Sequence, residues 1–349
     1  MKVEENIPLA PYTTFHIGGP ARYFTHIQTV EELREALAFA KKKELRVFVL
    51  GGGSNILIDD AGFDGLVLKI ELGGVEIKKE GEHAVVVAGA GEHWDALVER
   101  AVTEGLWGVE NLSGIPGLVG GAVVQNIGAY GQALSESLEW IEALDTHSGE
   151  VVRFSNKECA FDYRDSFFKH DAGRHAVLRA ALKLSTEPKP NLSYQDLKTR
   201  FTLSRVEGFA DASLNLGAIR EAVLDIRRGK FPDLSVEGTA GSFFKNPILS
   251  KVEAKKLQER YPELPLFDMP ETSGVKVPLA WFLDARHGVF NIQTMRVGGA
   301  RLFEKQPLVI VAQKKSSSAG VQRLAHEVQK QIKEKIGIDI EPEVRILQK

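Results

Sequence analysis

The chain has 349 residues, with 44 Lys and Arg set against 47 Asp and Glu for a net charge of −3. That balance gives no long-range field suited to nucleic acid or to an anionic membrane, so any anionic ligand must be gripped by local cations. Apolar residues at 43% and charged residues at 26% are those of an ordinary soluble globular protein, and the length predicts two or three domains rather than one core.

Cys159 is the only cysteine, which excludes an intrachain disulfide and leaves a thiolate metal site without a second sulfur. No pair of histidines has zinc-site spacing, so no metal is expected. The opening residues Met1 to Pro8 hold no apolar signal core and no stretch has the length of a membrane span; the expectation is a cytoplasmic protein.

In chain order, Thr29-Val30-Glu31-Glu32 has the form of a capping box opening a helix with Leu33, Leu37 and Ala40 on one face. Lys41, Lys42 and Lys43 complement the dipole at its end. The apolar run Arg46 to Leu50 reads as a buried strand and feeds directly into Gly51-Gly52-Gly53-Ser54-Asn55. Successive glycines free N–H groups to curl around an anion, and Ser54 and Asn55 add donors, so the segment is either a phosphate cradle or a tight turn. It is neither a dinucleotide-binding fingerprint nor a P-loop, because no G-x-G-x-x-G opens a helix here and no Gly-Lys-Ser/Thr follows.

A strand over Ala84 to Ala90 and a helix marked by Trp94, Leu97, Val98, Ala101 and Val102, stopping near Gly105, precede a second glycine-rich segment, Ile115 to Gly131. Its density of small residues suits either a backbone pressed against a flat ligand or close helix packing. Ile141 to Phe154 reads as a hairpin turning at His147-Ser148-Gly149. Arg164, set among aromatics in Phe161 to Lys169, is either a stacked surface guanidinium or a clamp for a carboxylate. Pro188 and Pro190 flank a loop ending in Leu192-Ser193-Tyr194, a mobile position suited to covering a ligand. Asn215 caps a helix from Leu216 to Arg228, and Arg227, Arg228 and Lys230 collect at its end, where they serve either the helix dipole or a diphosphate.

In Gly238 to Pro247, two glycines and an alanine let the backbone approach a ligand, while Ser242 presents a hydroxyl backed by Phe243 and Phe244 and followed by Lys245 and Asn246. The stretch is either the seat of a proton donor or an ordinary turn entering a strand. Ser250 and Glu253 form a second capping box, Val277 to Ala285 is a short apolar helix, and Val321, Leu324, Val328 and Ile332 mark a helix closing at Gly337. The chain ends in a strand of alternating charges from Ile338 to Leu347, on which Glu343 is either a surface carboxylate or a buried one with a partner.

The segments VLGGGSNILI around Gly51, IPGLVGGAVVQNIGAYG from Ile115, FDYRDSFFK around Arg164, GTAGSFFKNP around Ser242 and EPEVR around Glu343 occur in that order along almost the whole chain. Their combination resembles the UDP-N-acetylenolpyruvoylglucosamine reductase family of bacterial cell-wall precursor synthesis, in the form with an inserted tyrosine loop. The resemblance implies an α+β protein with an FAD-binding fold of the vanillyl-alcohol-oxidase type. Two α+β subdomains, residues 1–70 with 342–349 and residues 71–225, would be followed by an α/β UDP-sugar domain at 226–341.

By the same resemblance, non-covalent FAD would lie along Gly51, Gly52, Gly53, Ser54 and Asn55 and along Gly121, Val124, Ile127 and Gly128, with contacts from Arg227 and Arg345. Tyr194 would fold over the substrate, and Lys230 and Asn246 would meet its diphosphate and nucleotide. The implied reaction is NADPH-dependent reduction of UDP-N-acetylglucosamine enolpyruvate to UDP-N-acetylmuramate. Arg164 and Glu343 would stabilise the charge that develops on the carboxylate, and Ser242 would protonate C2. The implied state is a monomer with neither nucleic acid nor membrane as partner. The family pattern places a His and an Asn where this chain has Gly299 to Phe303 and Val309 to Gln313, so the lining of the substrate domain from Ala285 to Gln313 departs from it. Two other readings stand beside this one: an oxidase of the same fold holding FAD covalently through His16, and a non-catalytic binder of UDP-sugar or flavin.

Overall fold

The capping box at Thr29 is formed in full: its side chain accepts from Glu32 N–H, and the Glu32 carboxylate accepts from Thr29 N–H. The helix it opens, Val30–Lys42, buries Leu33, Ala36 and Ala40, with Leu37 partly buried against the same core. A computed structural model describes residues 1–171, 173–206, 214–269, 274–284, 287, 289–290, 295–313 and 316–349. They divide into two compact units: Met1–Ile7, Pro20–Gly53 and Phe63–Gly229 form the first, and Pro8–Gly19, Ser54–Gly62 and Lys230–Lys349 the second.

In the first unit, a four-stranded sheet runs in the order Glu4–Pro8, Pro20–Ile27, Phe63–Ile70, Arg46–Leu50. Phe63–Ile70 pairs in parallel with both its neighbours, Phe24 and Phe48 each facing Val67. Five strands follow in a second, antiparallel sheet, ordered Val151–Ser155, Leu138–Asp145, His175–Ser185, His83–Gly89, Val75–Glu80. The expected hairpin turns where predicted: Asp145 accepts from the N–H groups of His147 and Ser148, and Gly149 takes φ 75. Both sheets feed one core, in which Leu66 and Leu68 join Val86, Ala180 and the helix residues Trp94, Leu97 and Val98. A satellite cluster of Trp107, Tyr130, Leu197, Ile219 and Val223 rests on the helix Leu216–Lys230. Asn215 caps that helix as expected, accepting from Ala218 N–H at 2.9 Å.

The second unit is built around the helix Ser318–Ile336, whose Val321, Leu324, Val328 and Ile332 are buried and which ends at Gly337 with φ 83. Its sheets are Arg296–Val297, Ala300–Phe303, Gln306–Ala312 and, separately, Ile248–Leu249, Gly274–Lys276, Phe267–Met269. Ser250 and Glu253 form the second capping box, on Lys251–Arg260. The short apolar helix spans Leu279–Leu283. Of the segment Ala285 to Gln313, Ala285, Arg286, Gly288 and residues 291–294 lie outside the described residues.

The C-terminal strand is shorter than its alternating pattern predicts. Only Arg345–Leu347 is strand, paired in parallel with Ile56–Ile58. Pro342 before it forms an isolated antiparallel bridge with Phe244. The residues on either side of Pro342 bond the Phe243 run: Lys245 N–H donates to Glu341 C=O at 3.0 Å, and Glu343 N–H to Phe243 C=O at 2.7 Å.

Candidate functional site

The triple glycine leaves the strand Arg46–Leu50 and meets the second glycine-rich segment. A Cβ on Gly52 would stand 2.7 Å from Gly117 Cα, and one on Gly120 would stand 3.0 Å from Ala90 Cβ. These glycines exist so that backbones can touch. Gly51 and Gly121 are different: a Cβ on Gly121 would meet nothing within 4 Å, and one on Gly51 would meet only Gly121 N, at 4.0 Å. Gly52 and Gly120 are thus required by packing, whereas a Cβ on Gly51 or Gly121 would face open space.

Beyond Gly121, the helix Val119–Gln125 ends at Asn126 in the left-handed region, φ 44. The Asn126 amide accepts from Ser135 N–H at 3.1 Å and donates to Asp162 C=O at 2.9 Å. Val124 and Ile127, both partly buried, lie on this same turn. Val124 C=O accepts from Ser166 Oγ at 2.7 Å, and Gly128 C=O from Arg164 Nη2 at 2.6 Å. The segment carrying Arg164 is thereby stitched to the glycine-rich one.

Arg164 itself sits at φ 56, a conformation that disfavours any side chain with a Cβ. It is imposed by a tight turn in which Asp162 and Asp165 exchange N–H···O bonds of 3.1 and 3.0 Å. Backbone strain of this kind persists where the surroundings over-determine it, often at sites that must aim a side chain. The guanidinium also lies 5.5 Å from the Tyr163 ring centroid.

The cations after Leu216 part company. Arg228 is exposed and pairs with Asp225. Arg227 turns inward, its Cδ 3.0 Å from where a Gly114 Cβ would be. Burial lowers its pKa from the ordinary value, while a hydrogen bond with Tyr130 and the charge of Asp95 work the other way. A guanidinium starts high enough to stay charged there. Asp95 fixes the turn beneath it by accepting from Gly114 N–H at 2.5 Å and from both Nη atoms of Arg220 at 2.6 and 2.9 Å.

Tyr194 stands edge-on to Tyr130, ring centroids 5.2 Å apart at 88°. Its loop, expected to be mobile, is anchored at Asn191, whose Nδ2 donates to Gly131 C=O and whose C=O accepts from Asn111 Nδ2, each at 2.8 Å. Asn111 and its neighbour Glu110 are wholly buried. Glu110 Oε2 accepts from Gly108 and Val109 N–H, and burial raises its carboxyl above the usual range. The sequence reading missed this pair. A Glu-Asn dipeptide inside the apolar run Leu106 to Leu112 was the signal available.

In the second unit, the backbone from Ser242 to Lys245 is held on both sides. Phe243 N–H donates to Leu308 C=O at 2.7 Å, and residues 341 and 343 bond the other edge. Phe243 and Phe244 are 0% and 1% exposed with rings 5.2 Å apart, so half-buried Ser242 is presented by a rigid frame. Glu343, also half-buried, belongs to that frame through its own N–H. Gly238 corrects the expectation of close ligand approach: a Cβ there would fall 2.1 Å from Phe15 C=O, so its smallness serves packing.

Asn55 ties into the same frame, donating from Nδ2 to Glu343 C=O at 3.3 Å and accepting Arg345 N–H at 3.1 Å. Ser54 before it is half-buried and Arg345 is exposed. Asn246 Oδ1 accepts from Leu279 N–H at 3.0 Å and so caps the helix Leu279–Leu283. Lys230 is half-buried at the last position of its helix. His16 is exposed, with Nε2 3.1 Å from Leu234 C=O. The structure thus groups Gly51, Gly121, Gly128, Arg164, Arg227 and Tyr194 in the first unit, and Ser242, Glu343, Asn55, Arg345 and Asn246 in the second.

Residues 21–155 match the family model of an FAD binding domain, and residues 233–347 that of the UDP-N-acetylenolpyruvoylglucosamine reductase C-terminal domain. The chain is 38% identical to the UDP-N-acetylenolpyruvoylglucosamine reductase of Chromobacterium violaceum over 351 residues, covering 99% of each. To that of Escherichia coli it is 36% identical over 344 residues, covering 98% of this chain and 96% of the relative. The crystal structure of the reductase from Thermus caldophilus superposes with a TM-score of 0.67 at 25% identity, covering 99% of both chains. These matches bear out the α+β FAD-binding fold joined to that family's C-terminal domain.

Proposed function

This chain belongs to the UDP-N-acetylenolpyruvoylglucosamine reductase family, and from that premise we propose that it reduces UDP-N-acetylglucosamine enolpyruvate to UDP-N-acetylmuramate with NADPH and FAD, in peptidoglycan precursor synthesis. The observation that carries the reading is the frame that puts Ser242 and Glu343 on bonded neighbouring backbones, Glu343 N–H to Phe243 C=O at 2.7 Å. We take this frame to present the Ser242 hydroxyl and the Glu343 carboxyl for a carbon protonation next to a carboxylate.

The cradle fits FAD. Gly51 and Gly121 leave space that a side chain would fill, and Arg227 supplies a retained cation. The donors for the diphosphate would come from Gly51, Gly52, Gly53, Ser54 and Asn55, and the wall along the ring from Gly121, Val124, Ile127 and Gly128, with Arg345 as a further contact. When bound, FAD supplies a hydride taken from NADPH.

The remaining work falls to this chain. Addition of hydride at C3 of the enol ether drives an electron pair through C2 towards the carboxylate. Arg164 pairs with that carboxylate, its φ of 56 fixing the direction in which the guanidinium points, and Glu343 donates a hydrogen bond to it when protonated. Ser242 delivers the proton to C2 and is reprotonated from solvent, completing the saturated lactyl ether. Tyr194, Lys230 and Asn246 hold the UDP portion, within a substrate region at 226–341, while residues 1–70 with 342–349 and 71–225 hold the flavin. On the family resemblance we assign the reaction to a cytoplasmic monomer.

The test is anaerobic spectroscopy of the purified holoprotein. NADPH bleaches the flavin band and the enolpyruvate restores it. In Ser242→Ala, bleaching proceeds at the wild-type rate while restoration slows by about 10²–10⁴-fold, the range of a general acid. Restoration at nearly the wild-type rate would remove Ser242 as the donor, and no restoration in the wild type would remove the function.

A further inference from the structure

We propose that Asn111 is a positioning residue that ties the loop bearing Tyr194 to the second glycine-rich segment and so sets how tightly the UDP-sugar is held. The proposal rests on the reductase reading for its substrate, and on geometry alone for the tie. Asn111 is 0% exposed. The two hydrogens of its Nδ2 go to Tyr130 C=O and to Asn191 C=O, each at 2.8 Å, and its own N–H goes to Gln132 Oε1 at 3.2 Å. One side chain therefore joins two places far apart in sequence, Tyr130 and Asn191.

The orientation of the amide is fixed by its partners. Two carbonyl oxygens only accept, so the nitrogen must face them. Among the described residues Oδ1 is buried with no hydrogen-bond partner, a cost that native structures rarely carry. A residue whose role was only to fill the core would be apolar at this position. The two-pronged tie is what an apolar residue cannot make.

Asn111 also stands on a rigid footing. Glu110 closes its turn by accepting from Gly108 and Val109 N–H at 2.7 and 3.1 Å, and Ser113 Oγ donates back to Glu110 C=O at 2.6 Å. On the far side of the tie, Asn191 is in the same loop as Tyr194, whose ring abuts Tyr130. Both carbonyls that Asn111 holds thus belong to the strands of chain that carry this ring pair. Cutting the tie removes one anchor and leaves the loop the Asn191 Nδ2 bond to Gly131 C=O, the ring contact and the packing of Leu192 and Tyr194 on the satellite cluster.

Asn111→Asp keeps the shape, removes both donors and turns oxygen towards oxygen. Asn111→Ser is the milder partner should the aspartate variant fail to fold, and Asn191→Ala cuts the neighbouring bond to Gly131. On each holoenzyme, backbone hydrogen exchange across residues 188–194 is measured without substrate, alongside steady-state kinetics and the rate of flavin bleaching by NADPH. Exchange in the loop is expected to rise about tenfold, equivalent to about 1.4 kcal/mol, and KM for the UDP-sugar enolpyruvate by a similar factor. kcat and NADPH bleaching stay within about twofold. Unchanged exchange in the loop overturns the tie. Faster exchange with an unchanged KM overturns its role in holding substrate, and bleaching slowed as much as turnover means Asn111 supports the flavin wall instead. If the wild-type flavin is not reoxidised by the enolpyruvate, the functional reading falls, while the exchange data still decide the tie.

Discussion

Replacing Gly121 by alanine separates what glycine does for the fold from what it does for the cofactor. Gly121 lies in the helix Val119–Gln125, it is exposed, and the new methyl would meet no atom within 4 Å. The helix gains up to about 1 kcal/mol because alanine loses less backbone entropy on folding. The same methyl stands in the cradle shared with Gly51. Overfilling a fitted contact by one methyl costs about 1–3 kcal/mol, or roughly 5- to 150-fold in Kd for FAD. Apoprotein stripped of flavin is unfolded by heat, and FAD is titrated back by the quenching of its fluorescence. Gly121→Ala should melt at or above the wild-type temperature yet bind FAD more weakly. Gly52→Ala is the control: its Cβ would fall 2.7 Å from Gly117 Cα, so stability and flavin binding should fall together. A Gly121→Ala protein that binds FAD within twofold of wild type would refute the cradle.

At Arg164 the backbone and the side chain make separable demands. Arg164→Gly should unfold at higher urea than Arg164→Ala by about 1 kcal/mol, since only glycine relaxes at φ 56, while both lose turnover; equal stabilities would mean that the turn holds no strain. The Arg174 guanidinium, with the His147 and Ser148 N–H groups, holds Asp145 down at about 2. A depressed carboxyl contributes stability that is complete above its unfolded pKa of about 3.9 and is lost as pH falls through the folded value. The urea midpoint should therefore fall between about pH 4 and about pH 2, and Asp145→Asn should flatten that limb. Burial, aided by the Glu158 charge, pushes the Cys159 thiol up to about 12. A maleimide reagent at mildly alkaline pH should label it only on unfolding, and rapid labelling of the native protein would contradict its burial.

Local signals in the chain predicted local structure well. The capping boxes at Thr29 and Ser250, the Asn215 cap and the turn at His147 depend on residues a few positions apart, and all are formed. Function was legible where several rare segments recurred in order, as with the glycine-rich runs and the stretch around Ser242. What the sequence could not disclose is which glycine touches backbone and which faces space. Gly238 lies against Phe15, and Gly52 against Gly117, contacts that no spacing rule contains. Asn111 escaped for a related reason. Its partners, Tyr130 and Asn191, are backbone carbonyls, and a carbonyl has no letter in a sequence.

The C-terminal segment shows why an incomplete strand can serve a site better than a full one. Had Ile338 to Leu347 formed a continuous ladder, its N–H groups would have been spent on one neighbouring strand and its side chains fixed in strict alternation. Instead it changes neighbour: Pro342 bridges antiparallel to Phe244, with the N–H of Glu343 on Phe243, before Arg345–Leu347 joins Ile56–Ile58, and the Glu343 C=O takes the Asn55 amide. Glu343 is thus located by two partners, one from the Ser242 stretch and one from the end of the Gly51 to Asn55 stretch. Removing the Asn55 donor, as in Asn55→Ala, should loosen Glu343 without disturbing Phe243. It should lower reoxidation by the enolpyruvate more than flavin bleaching by NADPH. An equal fall in both half-reactions would assign Asn55 to the flavin alone.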